Sequence, residues 1–100
     1  MKRFADINEL DLHGCLVNEA QALIGDKLDE LYQEYPDQFD RLIIIHGYSH
    51  GDQLLNLVRR RKDYRIRRIR TVASNPGMTI YELKSWDEII DDEQRRRNSG

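Results

Sequence analysis

The sequence predicts an α/β fold: a two-layer α/β sandwich of order β-α-β-α-β-β with a mixed four-stranded sheet. Three observations predict it. Two short apolar runs with strand character each end in His-Gly, at His13-Gly14 and at His46-Gly47. Each is followed by apolar residues at helical three-and-four spacing. Two more strand-like runs then flank Asn75-Pro76-Gly77, a clear turn that makes the final pair an antiparallel hairpin.

The elements follow in order. Leu10-Asp11-Leu12-His13 alternates apolar and polar, so Leu10 and Leu12 are expected on one face and Asp11 and His13 on the other. Gly14 ends this strand. Val17, Ala20, Leu23, Ile24, Leu28, Leu31, Tyr32 and Tyr35 mark a helix, capped near Asn18 and stopped by Pro36. Arg41-Leu42-Ile43-Ile44-Ile45-His46 is apolar almost throughout, which predicts a central strand covered on both faces. Gly47 and Gly51 frame a loop. Asp52 is suited to cap a second helix carrying Leu54, Leu55 and Val58. Ile66, Ile69 and Val72 mark a third strand, and Met78-Thr79-Ile80-Tyr81-Glu82-Leu83 a fourth. Residues 1–84 are expected to form one domain. Residues 85–100 are expected as an extension: a helical turn or two around Trp86, Ile89 and Ile90, then a frayed, solvated tail.

One hundred residues suit a single small core. No apolar run approaches the ~20 residues of a membrane span, and Met1-Lys2-Arg3-Phe4-Ala5-Asp6 lacks a signal core. Cys15 is the sole cysteine, which excludes an internal disulfide and a cysteine-based zinc site. These features fit a reducing cytoplasm. The net charge of −2 conceals segregation. Arg59, Arg60, Arg61, Lys62, Arg65, Arg67, Arg68 and Arg70 face only Asp63 within residues 59–70, giving that segment +7 and the other 88 residues −9. A polyanion would meet one basic ridge on an acidic body.

The motifs Leu10-Asp11-Leu12-His13-Gly14, His46-Gly47 with Gly51, and Gly77-Met78-Thr79-Ile80-Tyr81-Glu82-Leu83 occur in that order across roughly residues 8–84. In this the chain resembles the stand-alone small MutS-related (Smr) domain. Ser49 stands where that family usually carries the middle glycine of its second motif, and Leu16 where a helix-capping threonine is common. The resemblance implies a fold similar to the C-terminal domain of a bacterial translation initiation factor. It also implies nucleic-acid binding, with cleavage of DNA or RNA by some members, action on mRNA at stalled ribosomes by others, and adaptor roles without chemistry in others.

The residues themselves suggest specific chemistry. Asp11 would orient His13 and stabilise its protonated form, and His13 would act as general base or acid at a scissile phosphate. On RNA the base would deprotonate the 2′-hydroxyl for in-line attack without a metal. On DNA a water nucleophile is needed, and Asp11 would help hold a divalent ion such as Mg²⁺. One carboxylate among imidazoles suits Mg²⁺ poorly, which favours RNA. Alternatively, Asp11 accepts hydrogen bonds from amides near Gly47 and pins two loops. His46 is the expected partner acid or phosphate donor. Gly14, Gly47 and Gly51 would bring backbone close to phosphate, the Ser49 hydroxyl could bond a phosphate where its side chain keeps the backbone away, Tyr48 could stack on a base, and His50 lies in the same loop. The eight cations of residues 59–70 would form the docking surface. The rival expectations are a non-catalytic module binding RNA, branched DNA or ribosomes, and a protein-interaction adaptor using Trp86 and the C-terminal segment.

Overall fold

Alternation of apolar side chains sets the sheet. The computed structural model describes residues 6–47 and 52–99. Its elements run β1 (Glu9–Asp11), α1 (Val17–Glu34), β2 (Arg41–Ile45), α2 (Gln53–Arg60), β3 (Ile66–Thr71), β4 (Met78–Leu83) and α3 (Trp86–Ser99). The sheet order is β1-β2-β4-β3. β1 is parallel to β2, while β4 is antiparallel to both β2 and β3. The α/β class, the strand order along the chain and the mixed four-stranded sheet are those the sequence predicts.

Both helical crossovers step the same way across the sheet, from β1 to β2 and from β2 over β4 to β3. Right-handed crossovers of one direction put both helices on one face. The core lies there: Leu42 and Ile44 of β2 and Tyr81 and Leu83 of β4 meet Ala20, Ile24, Leu28 and Leu31 of α1 and Val58 of α2. The buried Tyr81 hydroxyl donates to the Val58 carbonyl at 2.6 Å and fixes α2 on the sheet. Tyr32 donates from its hydroxyl towards the Lys84 and Arg65 carbonyls, at 2.7 and 3.0 Å, tying α1 to the far edge.

Four expectations need correction. β2 is central but covered on one face only: Ile43 and Ile45 point away from the helices and stay partly exposed. Its continuous apolarity serves a two-layer fold, with the second layer missing on that side. β1 ends at Asp11, and residues 12–16 form a turn in which the Cys15 amide donates to the Leu12 carbonyl. Asp11 and His13 therefore do not share a strand face. The cap of α1, expected near Asn18, falls at Leu16, which has no capping group. Glu19 instead reaches back to accept from the Leu16 amide at 2.9 Å.

The fourth concerns the C-terminal segment. α3 runs unbroken to Ser99, where a tail was expected from residue 91. Ser85 and Glu88 form a reciprocal capping box: the Ser85 Oγ accepts from the Glu88 amide and Glu88 accepts from the Ser85 amide, both at 3.2 Å. Asp91–Arg95 and Glu93–Arg97 pairs one turn apart support the outer half. Trp86 packs edge-on against Tyr32 with 5.5 Å between ring centroids, and Ile89 joins the core.

Candidate nucleic-acid interface

The two His-Gly motifs meet. Parallel pairing sets Asp11 beside Ile45, and the Leu12 amide donates to the Ile45 carbonyl at 2.7 Å. The chain leaves both strands at the same rim. His13 is exposed there, and its Cδ2 would lie 3.3 Å from a Cβ at position 47. Gly47 has φ +78°, a left-handed conformation that glycine adopts without a steric penalty. Gly77 completes the junction. Its carbonyl accepts from the His46 and Gly47 amides at 2.9 and 3.1 Å. A Cβ on Gly77 would sit 3.2 Å from the Gly47 Cα. The three glycine-bearing motifs thus converge by backbone contact.

The two candidate histidines are not equivalent. His46 is 4% exposed, with its ring turned under the helices. Its Nδ1 lies 2.8 Å from the Gly47 carbonyl and its Nε2 lies 2.8 Å from the Thr79 hydroxyl. A carbonyl only accepts, so Nδ1 carries the proton and Nε2 accepts from Thr79. Burial lowers the His46 pKa, the Gly47 bond opposes this, and the nearby Arg59 charge lowers it further. His46 is a neutral buried residue holding the rim together, where the sequence predicts a partner acid or a donor to phosphate.

Asp11 also serves the backbone. Its Oδ1 accepts from the His13 amide at 2.9 Å, closing the turn that aims His13 outward. That bond differs from both expectations, an Asp11 carboxylate on the His13 ring and one on amides near Gly47. Gly14 lies in the same exposed turn. Tyr48, Ser49, His50 and Gly51 lie outside the described residues. Asp52 occupies the N-cap position of α2, yet its side chain makes no capping bond. Among the described residues, no group of three or more His, Cys, Asp or Glu side chains is gathered as a metal ion requires.

Folding divides the basic ridge. Arg65 pairs with Asp63 at 3.0 Å and Asp29 at 2.7 Å, and Arg61 reaches Asp63 at 3.8 Å. Arg67 pairs with Glu88 of α3, while Arg68 and Arg70 share Glu82 on the neighbouring strand, each at 3.1 Å. Eight cations against Asp29, Asp63, Glu82 and Glu88 leave +4, where the segment alone carries +7. Asp29, Glu82 and Glu88 are distant in sequence, so this neutralisation is invisible to a local charge count. Arg59, Arg60 and Lys62 make no ion pair among the described residues, and the buried Arg59 Nε has no hydrogen-bond partner.

Arg60 and Lys62 border a groove. Val17 and Gln21 of α1 and Gln53, Asn56, Leu57 and Arg60 of α2, with Arg61 and Lys62, line a depression of about 790 Å³. Val17 and Gln53, the first residues of α1 and α2, line one part of it, and Arg60, Arg61 and Lys62 make another part cationic. Helix N-termini at the carboxyl ends of parallel strands favour anions, because free amides and the helix dipole face outward there. Sequence reasoning missed Gln21, Gln53 and Asn56; polar residues on a helix carry no local signal until a second helix comes alongside. No described helix is long and apolar enough to cross a membrane. Compared with known proteins, the chain matches no family model and no curated protein.

Proposed function

We propose that this chain is a nucleic-acid-binding protein of the Smr type that takes single-stranded RNA along the groove between α1 and α2. The observation that carries this reading is the groove itself, where Gln21, Gln53 and Asn56 lie beside Arg60, Arg61 and Lys62. A phosphate at the rim meets helix N-termini. Gln21, Gln53 and Asn56 offer the donors and acceptors that base edges require. The groove's cations meet the backbone. Anisotropy of a labelled RNA tests it. With Arg60, Arg61 and Lys62 as the groove's cations, log affinity falls against log salt with a slope of about −2. Replacing Arg60 and Lys62 together by Ala weakens binding across all sequences. Replacing Arg68 and Arg70, which lie on the other sheet face, leaves it nearly unchanged. The reverse result removes the groove.

A second reading, endonuclease action on RNA, is favoured by one observation. His13 is exposed at the rim, with its backbone held by Asp11. An imidazole there can take the 2′-hydroxyl proton for in-line attack on the adjacent phosphate. His13→Ala then abolishes cleavage of the labelled RNA while affinity stays within about twofold, since one side chain among several contacts adds little to phosphate attraction. If the wild type leaves RNA intact both with Mg²⁺ and without it, the binding function stands alone.

A further inference from the structure

The face of the sheet turned away from the helices is uncovered by any described element. Its composition follows from register. Glu9 pairs with Ile43, Ile43 with Ile80, and Ile80 with Arg70, so one row crosses the sheet as acid, Ile, Ile, base. The next row begins Asp11, Ile45, Met78. The row on the other side holds Arg41, Glu82 and Arg68. Ile43, Ile45, Met78 and Ile80 are each partly exposed, and none packs in the core beneath the helices. The face is therefore an apolar stripe with an acidic edge on β1 and a basic edge on β3.

Such a face is complementary to itself. Rotation by 180° about an axis along the strands turns the sheet over and reverses its strand order. The acidic edge of one copy then lies over the basic edge of the other, at the same height along the strands. We propose that this face seats a second copy of the chain, in a two-fold dimer with Ile43 over the partner's Ile80 and Glu9 over the partner's Arg70. The arrangement is isologous, so each contact occurs twice. Two sheets about 10 Å apart and about 30° from aligned bring these side chains together. A nucleic acid is a poorer occupant: among the described residues the face offers no aromatic side chain for stacking, and Glu9, Asp11 and Glu82 offset the attraction of Arg41, Arg68 and Arg70 for phosphate. Four strands of about five residues cover roughly 300 Å² in projection, below the ~800 Å² each partner contributes to a stable complex. The dimer is accordingly weak and concentration-dependent. This inference uses the face opposite the groove and is independent of the RNA reading.

Sedimentation equilibrium tests it together with isoleucine-methyl spectra. The wild type dimerises between about 10 µM and about 1 mM, the range for a small interface, and the Ile43 and Ile80 methyl signals move on dilution. Glu9→Arg and Arg70→Glu each weaken the dimer by about tenfold, because each sets like charges opposed at two symmetric positions. Mixing the two variants restores association, since in the heterodimer both charge pairs are opposite again. Far-ultraviolet circular dichroism identifies any variant that fails to fold, and the wild-type dilution series decides the question without variants. A monomer at every concentration overturns the proposal. So do a mixture no tighter than either variant alone, and methyl shifts that appear with RNA but not with dilution.

Discussion

At the scale of single residues, the rim depends on Gly77 and His46. A Cβ at position 77 would meet Gly47 backbone atoms at 3.2 and 3.3 Å, and backbone yields less readily than a flexible side chain. Gly77→Ala is therefore expected to cost about 1–3 kcal/mol of stability, the range for overpacking, measured by urea denaturation. His46 makes stability depend on pH. Its folded pKa is depressed below the ordinary value of 6.5 by burial and by Arg59. Below pH 6.5 the unfolded chain takes up a proton that the folded chain refuses, so this contribution is complete above 6.5 and declines as pH falls. The urea midpoint is expected to drop between pH 7 and pH 5, and His46→Gln is expected to flatten that slope. The sequence announced both residues by position and disclosed little of their work. His46 ends an apolar run, which reads equally as a residue at a rim or beneath a helix. Only the pairing of Ile44 with Thr79 decides, because it places the Thr79 hydroxyl on the core face where the His46 ring turns.

At the scale of elements, β4, α1 and the hairpin were legible because their apolar spacing is strong and proline or glycine marks their ends. α3 was not, although its start carries a Ser-x-x-Glu signature at Ser85-Trp86-Asp87-Glu88. Few apolar residues follow, and a helix held by charge leaves little periodicity to detect. Its Asp87 and Glu88 begin the helix and its Arg96 and Arg97 end it, each sign facing the favourable pole of the dipole. Ser85→Ala is expected to lower stability by about 1 kcal/mol, with fraying of α3 seen as faster amide exchange in its first turn. Ending the chain after Ser85 is expected to cost more, because Trp86 and Ile89 leave Tyr32 and the core uncovered. A tail without structure would produce neither effect.

At the scale of the whole molecule, the fold class was readable and the electrostatics were not. Sequence showed a +7 segment; folding matches Arg65, Arg67, Arg68 and Arg70 to carboxylates far along the chain. The uncompensated charge moves from the edge strand to the end of α2, which is why the expected salt slope is shallow. The same topology orders events in time. The β3–β4 hairpin closes over a short connection, whereas Leu10 must find Ile44 across the whole of α1. Closing the longer loop carries the larger entropic cost, and a three-residue edge strand returns few bonds for it. β1 is thus expected to dock last and detach first. Brief opening of this one strand would carry His13 away from Gly47 while the remaining three strands stayed folded, making capture and release at the rim a matter of local melting.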